Sequence, residues 1–157
     1  MRKALLGKSW VSAITRITCL ATFIIFFTYP NFKLIQIDGN SMNPTLSHGD
    51  VSVLHKTAYS SSLPTRGDVV LLVDDDGDPV VKRLVAIPGD LFEIYDYYIY
   101  INRLKLNDEY GKTDQFTYTG FQRLSLDEYI YFGDNRSETS WGPVLRDNIK
   151  GKILFVE

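Results

Sequence analysis

Beyond Pro30 the chain shows almost no helical periodicity, and this more than anything else decides its fold class. Apolar, β-branched and aromatic residues come instead in short runs at 32–37, 51–54, 69–73, 80–87, 91–95, 97–101, 129–132 and 153–156. Gly67-Asp68, the acidic stretch Asp74-Asp75-Asp76-Gly77-Asp78 closed by Pro79, and Pro88-Gly89-Asp90 punctuate them as turns. Many short strands broken by such turns specify a mostly β domain. The runs at 69–73 and 80–87 are spaced as a hairpin that carries Lys82 on its second strand. Its acidic tip invites a calcium reading but lacks the loop length and terminal Glu of an EF-hand. A solvated hairpin tip accounts for it, and no metal site is expected.

Before Pro30 the pattern is different. Arg2, Lys3 and Lys8 precede an apolar stretch whose uncharged part runs from Ile17 to Tyr29. That part is short for a membrane span, which takes ~20 helical residues. Extending it back to Trp10 supplies the length but includes Arg16, tolerable only if the guanidinium reaches an interface or a polar partner. Trp10 and Tyr29 would then mark the two interfaces, and Pro30-Asn31 the end of the helix. Pro30-Asn31-Phe32 offers no small-x-small cleavage site, so a retained anchor is expected rather than a removed leader. A buried core helix is the plainer alternative, and the basic flank on one side argues against it. Residues 1–31 are thus expected to be a cytoplasmic N-terminus and transmembrane anchor, and residues 32–157 a β-rich domain across the membrane.

Composition narrows the function. A net charge of −2 leaves no broad basic field for nucleic acid. Cys19 is the only cysteine, so neither an intrachain disulfide nor a cysteine-based zinc site can form. With only His48 and His55 available, a Ser-His-Asp arrangement has little to draw on. No cofactor is expected.

Two runs suit serine chemistry without histidine: Ile37-Asp38-Gly39-Asn40-Ser41-Met42-Asn43-Pro44-Thr45-Leu46, and Val80-Val81-Lys82-Arg83-Leu84-Val85. A serine hydroxyl is a weak nucleophile until a base takes its proton. Lysine, with a reference pKa near ~10.4, serves as that base only when burial makes the neutral amine available. Strand alternation would put Lys82 on the face of Val80 and Leu84, and Arg83 on that of Val81 and Val85. One basic residue can then sink among apolar groups while its neighbour reaches polar partners. On this chemistry alone, an exposed Lys-Arg pair is the simpler reading.

A third run, Gly133-Asp134-Asn135-Arg136, completes an ordered set behind the apolar segment. Together, over roughly Ile35 to the C-terminus, these runs resemble the type I signal peptidases, membrane-anchored proteases with a serine nucleophile and a lysine base. The resemblance implies a signal-peptidase-like β domain with one N-terminal transmembrane helix. It also implies that Ser41 is the nucleophile and Lys82 the general base, with Arg83 and Asp134 supporting the site. The Ser41 N–H would face the developing oxyanion. The position of a second hydroxyl donor in some members is Gly39 here. Arg66-Gly67-Asp68-Val69-Val70 matches a run read as structural. Members then continue with a lysine-orienting serine, Asp-Ser-Arg and Trp-Gly. This chain passes from Arg136 through Ser137-Glu138-Thr139-Ser140 straight to Trp141-Gly142, without Asp-Ser-Arg. Thr139 is the ungapped match to the orienting serine, with Ser140 and Ser137 as substitutes. An inactive member is therefore a reading to weigh.

The same resemblance implies removal of signal peptides from exported preproteins after small residues, chosen by shallow apolar pockets. Ile37, Met42, Leu46 and Val81 match pocket-lining positions, with core packing as the competing account. Phe32, Leu34 and the tyrosines at 97–100 are candidates for the membrane interface, with core again the alternative. The implied partners are preprotein signal peptides and membrane lipid. The implied place is the cytoplasmic (inner) membrane, single-pass, with the mitochondrial inner membrane as runner-up. Two alternatives remain: a specialised pilus or conjugation maturation protease, and a catalytically impaired signal-peptide-binding membrane protein.

Overall fold

The computed structural model describes residues 3–28, 31–106 and 119–154, with helix side chains over 10–25. Arg2, Tyr29, Pro30, Phe155 and Val156 lie outside the described residues, as do the side chains of Lys3 and Lys8. The chain divides into two compact units, residues 1–33 and 34–157.

The first unit is dominated by a single helix, α1 (Lys3–Thr28). Its 26 residues would extend ~39 Å at 1.5 Å per residue. The helix was expected to be a transmembrane segment, yet among the described residues no helix is long and apolar enough to cross a membrane. The reason lies in its make-up: Ser12, Thr15, Arg16, Thr18 and Thr22 interrupt the apolar residues. The threonine hydroxyls are satisfied within the helix, each donating at 2.8 Å to the carbonyl four residues back: Thr15 to Val11, Thr18 to Ile14 and Thr22 to Thr18.

After α1 the described chain is almost entirely β: β1 (Phe32–Gln36), β2 (Val51–His55), β3 (Val69–Val73), β4 (Pro79–Ala86), β5 (Leu91–Tyr95), β6 (Tyr98–Ile101), β7 (Leu104–Lys105), β8 (Gln122–Arg123), β9 (Glu128–Phe132), β10 (Trp141–Leu145) and β11 (Ile149–Leu154). A seven-stranded sheet runs β1-β2-β11-β3-β4-β9-β10, and a four-stranded sheet runs β7-β6-β5-β8. The expected hairpin is present, with Val70 opposite Lys82 and Val73 opposite Pro79. At its tip the Asp74 carboxylate accepts the N–H groups of Asp76 and Asp78, so the acidic cluster closes a turn.

Three strands lie outside the runs read from sequence, the two-residue β7 and β8 and the longer β10, and β11 begins earlier than expected. β10 carries Gly142 and Pro143, which disfavour an interior strand, but it lies at the sheet edge, where proline is tolerated. The closing strand expected from Ile153 already begins at Ile149; the register shift between Ile149 and Gly151 breaks the alternation that would mark its first half. A Cβ on Gly151 would lie 2.6 Å from the His55 carbonyl, so only glycine lets β2 approach. In the smaller sheet the run expected from Tyr97 starts at Tyr98, since Asp96 (φ 48) and Tyr97 (φ 64) form the turn.

A part-buried ionic cluster ties β11 to the residue before β3. Asp68 accepts from Lys152 Nζ (2.6 Å), the Tyr59 hydroxyl (2.9 Å) and the Thr65 N–H (3.0 Å). Burial alone would raise its pKa, but the bonds from Lys152, Thr65 and Tyr59 outweigh that and hold it below the usual carboxylate range. The stability this contributes is complete above the unfolded pKa of ~3.9 and is lost as pH falls through the lower folded value. Asp68→Asn is expected to be less stable than the wild type at pH 7, with the gap closing in strong acid. Urea unfolding at the two pH values reads this directly.

Candidate active site

The site is assembled from one loop, one central strand and one short connection. The loop follows β1 and is closed at its base by Ile37 N–H to Asp50 O (2.8 Å) and Gly49 N–H to Ile37 O (2.9 Å). Gly39 (φ +88) turns the chain, and the Asn43-Pro44 peptide is cis. Ile37, Met42 and Leu46 are buried in one cluster with Leu54, Val69 and Ile153. These apolar anchors on either side fix Ser41, which is half-buried.

Lys82 stands on β4, between β3 and β9 in the middle of the larger sheet. It is only 4% exposed. Its Nζ lies 2.9 Å from Ser41 Oγ and 3.1 Å from Thr139 Oγ1. Burial pushes its pKa below the ordinary lysine value, with Asp74 and Asp134 pulling partly back. Val80 and Leu84 belong to the cluster of Tyr129 and Tyr131, and Val81 packs with Met42 and Leu46, but Val85, expected on the face of Val81, joins Phe92 and Phe132 where the register shifts between Leu84 and Ala86. The neighbouring Arg83 donates to Asp134 through Nε (2.8 Å) and Nη2 (2.7 Å), and to the Gly67 carbonyl through Nη1 (2.8 Å). The Asp134 side chain is fully buried in this fork, and the Thr45 hydroxyl also donates to it. The ion pair thus links strand, nucleophile loop and late connection.

That connection runs from β9 to β10 and holds Thr139. The Thr139 oxygen accepts from Lys82 and from the Gly133 N–H (3.0 Å), while its own proton goes to the Ser140 carbonyl (2.9 Å). With both lone pairs accepting, the hydroxyl can orient the amine but has no proton left to offer it. The structure therefore sets Thr139 at the lysine. Ser140 contributes its backbone carbonyl, and the exposed Ser137 side chain donates to Asn135 Oδ1 (2.9 Å).

Two positions outside the candidate set touch the nucleophile loop. Asn135 donates its N–H to the Ser41 carbonyl (3.0 Å) and its side-chain amide to the Asn40 carbonyl (3.3 Å). Gly133 packs so closely that a Cβ there would lie 2.2 Å from Thr139 Oγ1 and 2.3 Å from the Ser41 carbonyl. Both belong to the Gly133–Arg136 run, but nothing local in that run shows which backbone it will touch. Of the four pocket candidates, Ile37, Met42 and Leu46 are 4%, 1% and 5% exposed, and only Val81 is partly exposed. His48 Nδ1 meets the Gly39 N–H and Asp38, each at 3.2 Å. Among the described residues no cluster of His, Cys, Asp or Glu could hold a metal ion.

Such an arrangement can activate a hydroxyl: a desolvated amine, oriented from behind, faces a serine fixed by its flanking residues. The profile of the family described as "Signal peptidase, peptidase S26" matches residues 7–156. Signal peptidase I of Bacillus licheniformis is 31% identical over 94% of this chain and 86% of its own length. A probable signal peptidase I-2 of Synechocystis is 28% identical, over 95% of this chain and 70% of its own length. Signal peptidase IB of Staphylococcus aureus is 27% identical over 99% and 90%. A crystal structure of a signal peptidase I from Enterococcus faecalis covers 57% of this chain and 95% of its own, with 24% identity and a TM-score of 0.46.

The chain is therefore a serine endopeptidase with a mostly β fold and one N-terminal helix. It belongs to the signal peptidase family, peptidase S26, and its function is that of signal peptidase I. Signal peptides are the substrates this family implies.

Proposed function

We propose that Ser41 is the nucleophile and Lys82 the general base, in a protease that cuts exported preproteins after small residues. The observation that carries this is the 2.9 Å hydrogen bond between Lys82 Nζ and Ser41 Oγ, made by an amine that burial holds toward its neutral form. Neutral Lys82 takes the Ser41 proton as Oγ bonds to the scissile carbonyl carbon, and the carbonyl becomes an oxyanion facing the Ser41 N–H. The C–N bond then breaks, and the Lys82 ammonium returns the proton to the departing amine. Water attacks the Ser41 ester, Lys82 accepts its proton, and that proton returns to Oγ as the ester bond breaks. Thr139 holds the amine through both halves. Arg83 and Asp134 brace the site through their paired hydrogen bonds, while the Asp134 charge opposes part of the burial effect on Lys82.

In this reading residues 1–31 are the cytoplasmic N-terminus and membrane anchor. Residues 32–157 form the peptidase domain on the extracytoplasmic side of the inner membrane. Support for the anchor comes from the exposed Val11, Ile14, Ile17, Leu20, Phe23, Ile24 and Ile25 and from threonine hydroxyls already bonded within the helix. Arg16 must then reach an interface by extending its side chain. Tethering the site where signal peptides emerge raises their effective concentration.

Incubating the full-length chain in detergent with a preprotein bearing an Ala-x-Ala site tests the assignment. The wild type should cleave after the second Ala, and Ser41→Ala should leave the preprotein intact. Equal cleavage by both would remove Ser41 from the mechanism.

A further inference from the structure

The β9–β10 connection delivers Thr139 to Lys82 and Asn135 to Ser41, so its path must be held firmly. Its two ends are register partners, Phe132 opposite Trp141, and their rings stack at 5.0 Å with planes 3° apart. Phe92 packs against both rings, at 6.4 Å and 5.9 Å. From inside the connection, Arg136 folds back over this base. Its guanidinium carbon lies 4.4 Å from the Phe132 ring centroid, and the residue is 8% exposed. Arg136 falls between Asn135 and Thr139, the two residues that reach the dyad. The turn around it is closed by Glu138 N–H to Asn135 O (3.2 Å).

We propose that Arg136, stacked on Phe132, is a positioning residue that locks the β9–β10 connection against Lys82 and Ser41. The proposal rests on the assignment of Ser41 and Lys82 as the reacting pair. A planar cation on an aromatic face is directional as well as attractive, and its worth grows where water is excluded. Gly133 leaves no slack on one side of the connection, because its backbone already touches Thr139 and the Ser41 carbonyl. The stack removes the slack on the other. Loosening it would displace the Thr139 hydroxyl and admit water to Lys82. Misplacement by about 1 Å costs roughly 10²-fold in rate. Readmitted water would also return the lysine toward its ordinary pKa.

The test compares full-length wild type, R136M, R136K and F132L in detergent, reading kcat, KM and the acid limb of the kcat/KM profile, with melting temperature as a folding check. R136M should lose roughly 10²-fold in kcat at nearly unchanged KM, with its acid limb moved to higher pH. R136K should recover much of the loss, since the cation can still sit on the ring. F132L should resemble R136M, and the double variant should add little. Wild-type kcat and an unmoved limb in R136M would overturn the proposal, as would a loss confined to melting temperature. If R136M does not fold, R136K and F132L carry the test, and an unmoved limb in both is fatal. Lys82→Ala assayed alongside separates the two ideas. If it still cleaves, the dyad assignment fails; if it is inactive while R136M is normal, only the role of Arg136 fails.

Discussion

Lys82→Met is expected to abolish cleavage and at the same time to raise the melting temperature. The loss follows from removing the only amine in hydrogen-bond reach of Ser41 among the described bonds. A positioned base contributes ~10²–10⁴-fold, and among the described hydrogen bonds Lys82 is the basic side chain that meets Ser41. The gain in stability follows from the same burial that makes Lys82 useful. Because its pKa is lowered on folding, the unfolded chain binds this proton more readily than the folded one. Wild-type stability therefore rises with pH between the folded pKa and the unfolded value of ~10.4. Methionine does not titrate, so the advantage of Lys82→Met should be full below the folded pKa and fade as pH approaches ~10.4. The lost bonds to Ser41 and Thr139 offset part of it. Thermal melts at pH 7 and pH 10, with preprotein cleavage on the same samples, check both halves. Retained cleavage, or a destabilisation that does not change with pH, would contradict the argument.

Gly133→Ala should come close to inactivating the enzyme although it adds a single carbon. Its Cβ would meet Thr139 Oγ1 at 2.2 Å, the Ser41 carbonyl at 2.3 Å and Thr139 Cβ at 2.8 Å. None of these is the far end of a flexible side chain, so the nucleophile loop and the lysine-orienting hydroxyl must separate. Overpacking of this kind costs about 1–3 kcal/mol, and displaced reacting groups cost roughly 10²-fold or more in kcat. Gly77→Ala at the hairpin tip is the control. Gly77 has φ +88 with nothing within 4 Å of the added carbon, so it should cost stability and leave kcat unchanged. Similar kcat values for the two variants would refute the steric account.

How far the sequence could be read depended on whether a property was local. Turn chemistry and β-branched runs placed the β3–β4 hairpin and the strand bearing Lys82, because both signals sit within a few residues. Alternation on that strand grouped Val80 with Leu84 and apart from Val81, since side-chain direction there has a fixed period. β10 was hidden because an edge position excuses Gly142-Pro143, and edge positions are set by topology. Choosing Thr139 over Ser140 and Ser137 required the path of the shortened connection. The contact of Gly133 with the Ser41 carbonyl joins residues far apart in the chain, and no local pattern encodes it.

The central claim is that Lys82 is the neutral partner of Ser41, and the titration of Lys82 itself tests it most directly. Full-length protein with ¹³C-labelled lysine can be followed by NMR over a pH series, with Lys82→Met identifying the resonance. The account predicts one lysine that loses its proton well below the ordinary ~10.4 and is absent from Lys82→Met. A Lys82 that titrates with the surface lysines would contradict it, because a permanently charged ammonium cannot take the Ser41 proton.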